Sequence, residues 1–325
     1  FLLLVILFFS LFLFDRGPEV PDGAALVLSP SGYIVEQKTP SVLSAKLFSD
    51  DVEAETLLKD IIDVVDYAKD DQRIKLLVLD LHQMAGAGPS KLQDVGVALN
   101  RFKDSGKQII AHGDFFTQPQ YYLAAHADNL YLSPMGGVGL FGYGLYRAYF
   151  KSALEKLRIN FHVFRVGTFK SALEPFLRDD MSPYARESNL AWLNELWGHY
   201  KNDIAIQRNF DPESLDDYIN NFPTHLAKFS GDTAQLALDR NLVDAIKTRD
   251  EVRRELMDLV GEENDSGTFK QIDFMDYLQI IRPHLNMKNP LSPQVGVIVA
   301  KGMILDGDQP AGTIGGDSLA DLIRQ

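Results

Sequence analysis

Short runs of β-forming residues alternate with amphipathic helical segments through the first half of the chain, and this alternation restricts the fold more than any other feature. Strands are predicted at residues 25–28, 33–35, 74–79, 108–111, 130–132 and 161–166. Helices are predicted from apolar spacings of three and four at residues 53–69, 90–103, 119–127 and 149–157. Strands that alternate with helices form parallel or mixed sheets, so the sequence predicts an α/β domain over residues 24–181.

The pattern then becomes helical. Ser182 and Pro183 are typical of a helix start, because a serine side chain caps free backbone N–H groups and proline has no N–H to satisfy. Asp179 and Asp180 lie just before this start, where the helix dipole favours negative charge, and we interpret them as capping residues. The segments predicted here are a helical extension at residues 182–263 and a polar linker at residues 264–293.

An early and a late segment share one pattern of residues. In residues 27–36, two apolar residues precede Gly32, and two further apolar residues and an acidic residue follow it. Residues 297–306 repeat this order around Gly302, and an amphipathic helix is expected after each strand-turn-strand segment. Duplication of a whole domain explains the repeat better than a solenoid, whose period is ~20–50 residues, and predicts the start of a second α/β domain at residues 294–325. A chance similarity of two hairpins is the alternative.

The chain opens with an apolar run at residues 1–14, which contains one hydroxyl group and no charge. A membrane-spanning helix needs ~20 apolar residues, and the chain begins without a Met, so we expect a truncated anchor that starts upstream. A cleaved signal peptide is the alternative, but no small-residue cleavage site follows the run. Residues 15–23 are predicted to link this transmembrane anchor to the α/β domain.

The composition excludes several classes of function. The 325 residues include 32 Lys plus Arg against 45 Asp plus Glu, and the net charge of −13 disfavours binding to nucleic acid. There is no Cys, which excludes disulfides, thiol catalysis and Cys-ligated metals. The His residues form no HExxH motif, and neither a Walker A nor a GxSxG motif occurs. We expect no metal and no cofactor.

Residues 137–142, GVGLFG, fit the GxGxxG fingerprint of dinucleotide-binding folds. That fingerprint requires an acidic residue about 20 positions later to bind a ribose, whereas the next predicted strand ends at Arg165 and Val166. We therefore interpret the motif as a glycine-rich turn or hinge.

Lys170 is the strongest candidate for chemistry. It follows a predicted strand and a Gly-Thr turn, and open α/β sheets bind ligands at the carboxyl ends of strands. A lysine acts as a general base only when neutral, which requires burial to lower its usual pKa of ~10.4 by two or three units. The apolar neighbours expected to supply that burial are Phe164, Phe169, Leu173 and Phe176. An ordinary solvated lysine is the alternative.

The segment FRVGTFKSALEPFLRDDMSP at residues 164–183 resembles the catalytic-lysine segment of peptidase family S49, in the long, duplicated bacterial type of its signal peptide peptidases. Residues 104–107 and 120–124 resemble the same family. Residues 295–307, VGVIVAKGMILDG, resemble the start of its second domain, so the resemblance covers essentially the whole chain.

This resemblance implies a crotonase/Clp-protease-like fold and a membrane-anchored serine endopeptidase that degrades cleaved signal peptides. It implies a Ser-Lys dyad in which Lys170 is the general base and the nucleophilic serine lies beyond Gln325. Gln118 takes the place of that serine in the first domain, and an amide is not a nucleophile, so the fragment alone is expected to be inactive.

The resemblance also implies a homotetramer on the bacterial inner membrane, with its soluble part facing the periplasm and with signal peptides, other hydrophobic peptides and the lipid bilayer as partners. Two alternatives from other classes stay open. One is a non-catalytic, membrane-tethered scaffold or oligomerisation module. The other is an acyl-CoA enzyme of the crotonase class, although a shared fold does not fix the chemistry.

Overall fold

The computed structural model describes residues 18–39, 54–264, 266–285, 295–310 and 312–324. The predicted anchor at residues 1–14 lies outside the described residues. Among the residues described, no helix combines the length and the apolar character that a membrane span requires. The chain divides into a larger unit, residues 1–139 and 226–325, and a smaller unit, residues 140–225. The domain boundaries inferred from the sequence stay a prediction.

Parallel strands build the larger unit. The strands of the described residues are β1 (Ala24–Leu28), β2 (Gly32–Val35), β3 (Glu55–Leu57), β4 (Ile74–Leu79), β5 (Met84–Gly86), β6 (Gln108–Thr117), β7 (Asn129–Gly139), β8 (Ala245–Ile246), β9 (Gln271–Asp273), β10 (Ile304–Leu305) and β11 (Ile314–Gly315). The main sheet has the order β8-β7-β6-β4-β1-β9, and every neighbouring pair in it is parallel. A second parallel sheet has the order β3-β2-β5.

Helices cover the main sheet and form most of the smaller unit. They are α1 (Leu58–Ala68), α2 (Pro89–Asp104), α3 (Gln118–Ala124), α4 (Lys151–Lys156), α5 (Glu174–Leu177), α6 (Pro183–Arg208), α7 (Glu213–Asn220), α8 (Phe222–Lys228), α9 (Thr233–Asp239), α10 (Arg249–Val260), α11 (Phe274–Leu285) and α12 (Gly316–Arg324). On one face of the sheet, Val252 and Leu256 of α10 pack with Leu76, Val78 and Ile110. This contact buries the apolar stripe of α10 and so fixes it against the sheet.

The predicted α/β fold with a parallel sheet is confirmed. Strand β4 has the predicted bounds because its sequence, IKLLVL, is apolar at every position except Lys75, as a strand covered on both faces requires. Strands β6 and β7 continue well beyond their predicted ends. The predicted start of α6 is also confirmed, since Ser182 caps the helix and Pro183 is its first residue.

Two predictions of secondary structure were wrong. Residues 161–166 form no strand, because no strand of the described chain pairs with them and Phe164 is 99% exposed. The extension over residues 182–263 is not wholly helical, because Ala245 and Ile246 form β8 and pair with Tyr131 and Leu132 at the end of the sheet. A strand of two residues has too short a pattern to be read from sequence.

The interpretation of residues 137–142 as a glycine-rich turn or hinge was wrong for residues 137–139, whereas residues 140–142 are irregular and begin the smaller unit. Gly137 and Gly139 lie inside β7, which pairs with β6 along Phe115, Phe116 and Thr117. No helix follows directly, because residues 140–150 are irregular. The strand-turn-helix arrangement that a dinucleotide site needs is therefore absent at this motif.

The early and late segments form the same order of elements. Strand β2 pairs in parallel with β3, and β10 pairs in parallel with β11. In both cases a helix, α1 or α12, begins directly after the second strand. The first segment has the expected strand-turn-strand order but is not a hairpin, since β1 and β2 belong to different sheets. In the second segment residues 297–298 are not in a strand.

Candidate active site

Lys170 closes a tight turn of the smaller unit. Gly167 has a φ of +114°, a conformation that favours glycine. A Cβ on Gly167 would lie 3.6 to 3.7 Å from Cγ, Cδ and Cε of Lys170, so the lysine stem packs beside this glycine. Nη1 of Arg165 donates a hydrogen bond of 2.7 Å to the carbonyl oxygen of Lys170. The backbone around the lysine is therefore held from one side by a guanidinium group.

A buried carboxylate fixes the other end of the lysine loop. Glu174, the first residue of α5, is 3% exposed, and its Oε2 accepts a hydrogen bond of 3.1 Å from the backbone N of Ser182. Oγ of Ser182 accepts one of 3.1 Å from the backbone N of Ala185. Two side chains thus satisfy N–H groups at the start of α6. The bond from Ser182 to Glu174 also ties the lysine loop to that helix.

Asp179 caps a different helix from the one expected. Its carboxylate accepts hydrogen bonds from the backbone N of Ser152 at 2.9 Å and from Oγ of Ser152 at 2.7 Å. Ser152 lies in the first turn of α4, and these bonds lower the pKa of Asp179. Asp180 pairs with Arg178 at 2.7 Å. The start of α6 is instead capped by Ser182 and Glu174, so the assignment of both aspartates to α6 was wrong.

The expected burial of Lys170 is not found in the described chain. Lys170 is exposed, and its amine makes no hydrogen bond or ion pair with the described residues. The four apolar neighbours proposed as its cover are exposed to different degrees: Phe164, Phe169, Leu173 and Phe176. Phe176 stacks on Phe161 at a centroid distance of 4.8 Å, and Phe169 lies edge-on to Tyr184 at 5.8 Å. These rings pack on one another and leave the amine open to solvent.

Gln118 lies at a strand-to-helix junction of the larger unit, directly after β6 and at the first position of α3. Oε1 of Gln120 accepts a hydrogen bond of 2.9 Å from the backbone N of Thr117. Nε2 of Gln120 donates to the carbonyl oxygens of Leu81 and Met84 at 2.9 and 2.8 Å. The buried Gln120 therefore locks this junction, and the Thr-x-x-Gln spacing of a capping box was the sequence signal for it.

Sequence reasoning missed a polar cluster at the carboxyl edge of the main sheet. Oγ of Ser133 donates to Oδ1 of Asp114 at 2.5 Å and lies 3.4 Å from Nε2 of His112, while Arg249 pairs with Asp114. Burial lowers the pKa of His112, and the hydrogen bonds from Ser133 and Arg249 lower the pKa of Asp114. The cluster borders a cleft of about 310 Å³.

The two aspartates that line this cleft each have a partner among neighbouring side chains. Asp114 is paired with Arg249, and Asp80 lies 2.5 Å from Nδ1 of His82. Within the described ranges, no group of three or more His, Asp or Glu residues is arranged to hold a metal ion. Hydrogen bonds and an ion pair join the cluster at the sheet edge, and its residues lie so far apart in the sequence that no motif reveals it.

Comparison with known proteins places the chain in a class. The profile of peptidase family S49 matches residues 101–263, which include both Gln118 and Lys170. The chain is 39% identical over 308 residues to "Protease 4" of Salmonella typhi, a match that covers 92% of this chain and 48% of that protein. It is 33% identical to "Protease 4" of Haemophilus influenzae, over 100% of this chain and 54% of that protein. The chain belongs to peptidase family S49.

The chain spans about half the length of these curated relatives. A more distant relative is "Serine protease SPPA, chloroplastic" of Arabidopsis thaliana, with 22% identity over 78% of this chain and 36% of that protein. Among solved structures, ThnE from S. clavuligerus covers 83% of this chain and 93% of its own, with 10% identity and a TM-score of 0.33. An enoyl-CoA hydratase from Mycobacterium avium subsp. paratuberculosis covers 70% and 85%, with 16% identity and a TM-score of 0.21.

Proposed function

We propose that this chain is part of a membrane-bound serine endopeptidase that degrades cleaved signal peptides with a Ser-Lys dyad, and that Lys170 is its general base. The observation that carries the proposal is membership of peptidase family S49 by a match that includes the Lys170 segment. The two relatives named Protease 4 and the one named a serine protease support hydrolysis of peptides by a serine nucleophile.

The dyad also requires a serine whose hydroxyl group acts as the nucleophile. At the junction of β6 and α3, residue 118 is Gln, whose amide cannot attack a carbonyl carbon. The proposal therefore assigns the nucleophilic serine to a position beyond Gln325. In the reaction, the serine oxygen attacks the scissile carbonyl, the neutral amine of Lys170 takes the hydroxyl proton, and backbone N–H groups stabilise the oxyanion.

The exposed side chains around Lys170 give the proposal a structural requirement. An amine in bulk water stays protonated at neutral pH, and burial is what favours the neutral form. In the full-length protein, Phe164 and Phe169 must therefore lose the exposure that they have in the described chain. Hydrogen exchange and solvent labelling of residues 164–176 in the full-length protein should show protection that a protein truncated after residue 325 lacks.

The direct test is a Lys170→Ala substitution in the full-length protein, assayed for peptide cleavage. We expect a fall in kcat of about 10³-fold, because general bases contribute 10²–10⁴-fold. Lys151→Ala is the matched control, since Lys151 is an exposed lysine of the same unit whose pair is Glu155 in the next turn of α4. Unchanged turnover in Lys170→Ala would remove the base assignment, and partial recovery of activity with added methylamine would support it.

A membrane anchor and a periplasmic location belong to the same proposal. The uncharged, apolar run at residues 1–14 supports the anchor, because charged side chains are costly in the hydrocarbon core of a bilayer. The full-length protein should remain with membranes through alkaline carbonate extraction, and protease added to spheroplasts should cleave its soluble part. Release by carbonate, or protection of the soluble part in intact spheroplasts, would contradict the anchor or the orientation respectively. Cross-linking in membranes tests the proposed tetramer.

The non-catalytic scaffold remains an outcome of these tests. A full-length protein that is membrane-bound and oligomeric but shows no peptide cleavage, and no labelling by a serine-directed fluorophosphonate probe, would fit the scaffold and not the peptidase.

A further inference from the structure

Arg165 is in direct contact with the lysine loop. Its Nη1 lies 2.7 Å from the carbonyl oxygen of Lys170, and this is the one side-chain hydrogen bond to the Lys170 peptide among the described residues. A bond between a charged guanidinium and a carbonyl is stronger than one between neutral groups. The contact therefore fixes the peptide group on the carboxyl side of Lys170.

The turn between these two residues needs such a restraint. Gly167 lies in its middle with a φ of +114°, and glycine has more backbone freedom than any other residue. The loop after Lys170 is already held, since the backbone N of Glu174 donates to the carbonyl oxygen of Ser171 at 3.0 Å and Glu174 binds Ser182. Before Lys170, the Arg165 bond spans the flexible glycine and joins the two ends of the turn.

We propose that Arg165 is a positioning residue for Lys170. Its guanidinium closes the turn over Gly167 and so fixes the backbone at Lys170, which sets the direction in which the lysine side chain projects. This inference rests on the proposed role of Lys170 as general base. A reacting amine must lie within ~3 Å of the hydroxyl that it deprotonates, so a turn that opens by a small amount lowers the rate without removing the substrate-binding surface.

The test compares Arg165→Gln, Arg165→Lys and Arg178→Gln in the full-length protein, assayed for peptide cleavage. The Gln side chain is shorter than that of Arg and carries no charge, so it cannot replace the guanidinium. We expect kcat to fall about tenfold to a hundredfold with KM nearly unchanged. Lys retains a charged donor, so Arg165→Lys should recover part of kcat. Arg178→Gln removes the same charge from the same unit, where Arg178 pairs with Asp180, and should stay within about twofold of the wild type.

A double-substitution experiment separates positioning from a general structural effect. The single variant Lys170→Ala and the double variant Lys170→Ala/Arg165→Gln are both assayed with added methylamine, which replaces the lost amine. If Arg165 acts through Lys170, Arg165→Gln has no further effect once the lysine is absent. The same fall in both backgrounds would overturn the inference, as would wild-type kcat in Arg165→Gln.

The two proposals fail in different ways. Wild-type turnover in Lys170→Ala overturns the base role itself. Wild-type turnover in Arg165→Gln, together with an inactive Lys170→Ala, overturns only the positioning role. If Arg165→Gln does not fold by circular dichroism, Arg165→Met decides, because it keeps an apolar stem and offers no donor. A kcat well below that of the wild type with unchanged KM supports positioning, and wild-type kcat overturns it.

Discussion

Gly32 and Gly302 occupy the same place in two strand pairs that lie far apart in the chain. Gly32 has a φ of +66° and is the first residue of β2, which pairs in parallel with β3. Gly302 has a φ of +105° and lies just before β10, which pairs in parallel with β11. A Cβ on Gly32 would lie 1.6 Å from the carbonyl oxygen of Ala54, and a Cβ on Gly302 would lie 1.9 Å from that of Gly312. Both contacts fall just before the second strand of the pair, which supports the proposed duplication at the level of backbone geometry.

Gly32→Ala should destabilise the protein strongly. A left-handed conformation costs a residue with a side chain about 1–2 kcal/mol, and the contact with the Ala54 backbone adds overpacking of about 1–3 kcal/mol. We expect the free energy of unfolding in urea to fall by about 3 kcal/mol. Gly106→Ala is the control, because Gly106 also has a positive φ, +82°, but no atom lies within 4 Å of its Cβ position. Equal losses in both variants would show that the Ala54 contact contributes nothing.

Glu174→Leu should free the start of α6 from the lysine loop. The substitution removes the acceptor of the Ser182 N–H and leaves that donor buried without a partner, which costs about 1–3 kcal/mol. Hydrogen exchange should accelerate at the first amides of α6, and urea unfolding should report the loss. Glu174→Gln keeps an oxygen acceptor of the same shape and should exchange nearly as the wild type does. Similar exchange in Leu and Gln variants would refute the capping role of this carboxylate.

The elements predicted correctly from the sequence are those that local residue patterns determine. Strand β4 follows from a continuous apolar run, and the start of α6 follows from Ser182 and Pro183, whose effects act within one turn of helix. Residues 161–166 carry the same apolar character as a buried strand but have no strand partner in the described chain, and no local pattern reveals a missing partner. Their prediction failed for that reason.

The candidate site shows the same limit. The resemblance selected Lys170, but its exposure depends on which surfaces cover residues 164–176, and this is a tertiary property. Asp179 was assigned to the helix nearest in sequence, whereas the structure brings it to Ser152, on a helix that precedes it. The role of Gln120 was within reach, because Thr117 and Gln120 have the spacing of a capping box.

Asp71→Asn should lower stability in a way that depends on pH. Hydrogen bonds from Arg73, chiefly from its side chain, and from Tyr277 lower the pKa of Asp71 to about 2, and the side chain is only 6% exposed. A carboxylate with a depressed folded-state pKa stabilises the fold above its unfolded pKa of ~3.9 and loses this contribution as the pH falls toward 2. We expect Asn to cost roughly 2 kcal/mol at pH 7 in urea unfolding.

The difference between wild type and Asp71→Asn should therefore shrink steadily between pH 5 and about pH 2. Asp70→Asn is the control, because the Asp70 side chain is 76% exposed and pairs with Lys69 on the surface, where ion pairs contribute little. A stability difference for Asp71→Asn that stays constant over this range would contradict the assigned role of its charge.

Lys201→Met should loosen α7 from α6. The Lys201 side chain is 10% exposed, and its Nζ lies 2.8 Å from Oε1 of Glu213 and contacts Asp216, which also accepts a hydrogen bond of 2.7 Å from Nε1 of Trp197. Removing the cation leaves Asp216 with one donor in a half-buried site, so we expect about 2–3 kcal/mol of destabilisation and faster hydrogen exchange along α7. Replacing Lys201 and Asp216 together by Met and Leu should restore part of the loss, because the unpaired charge is then gone. If the single variant exchanges like the wild type, the ion pairs do not hold the two helices together.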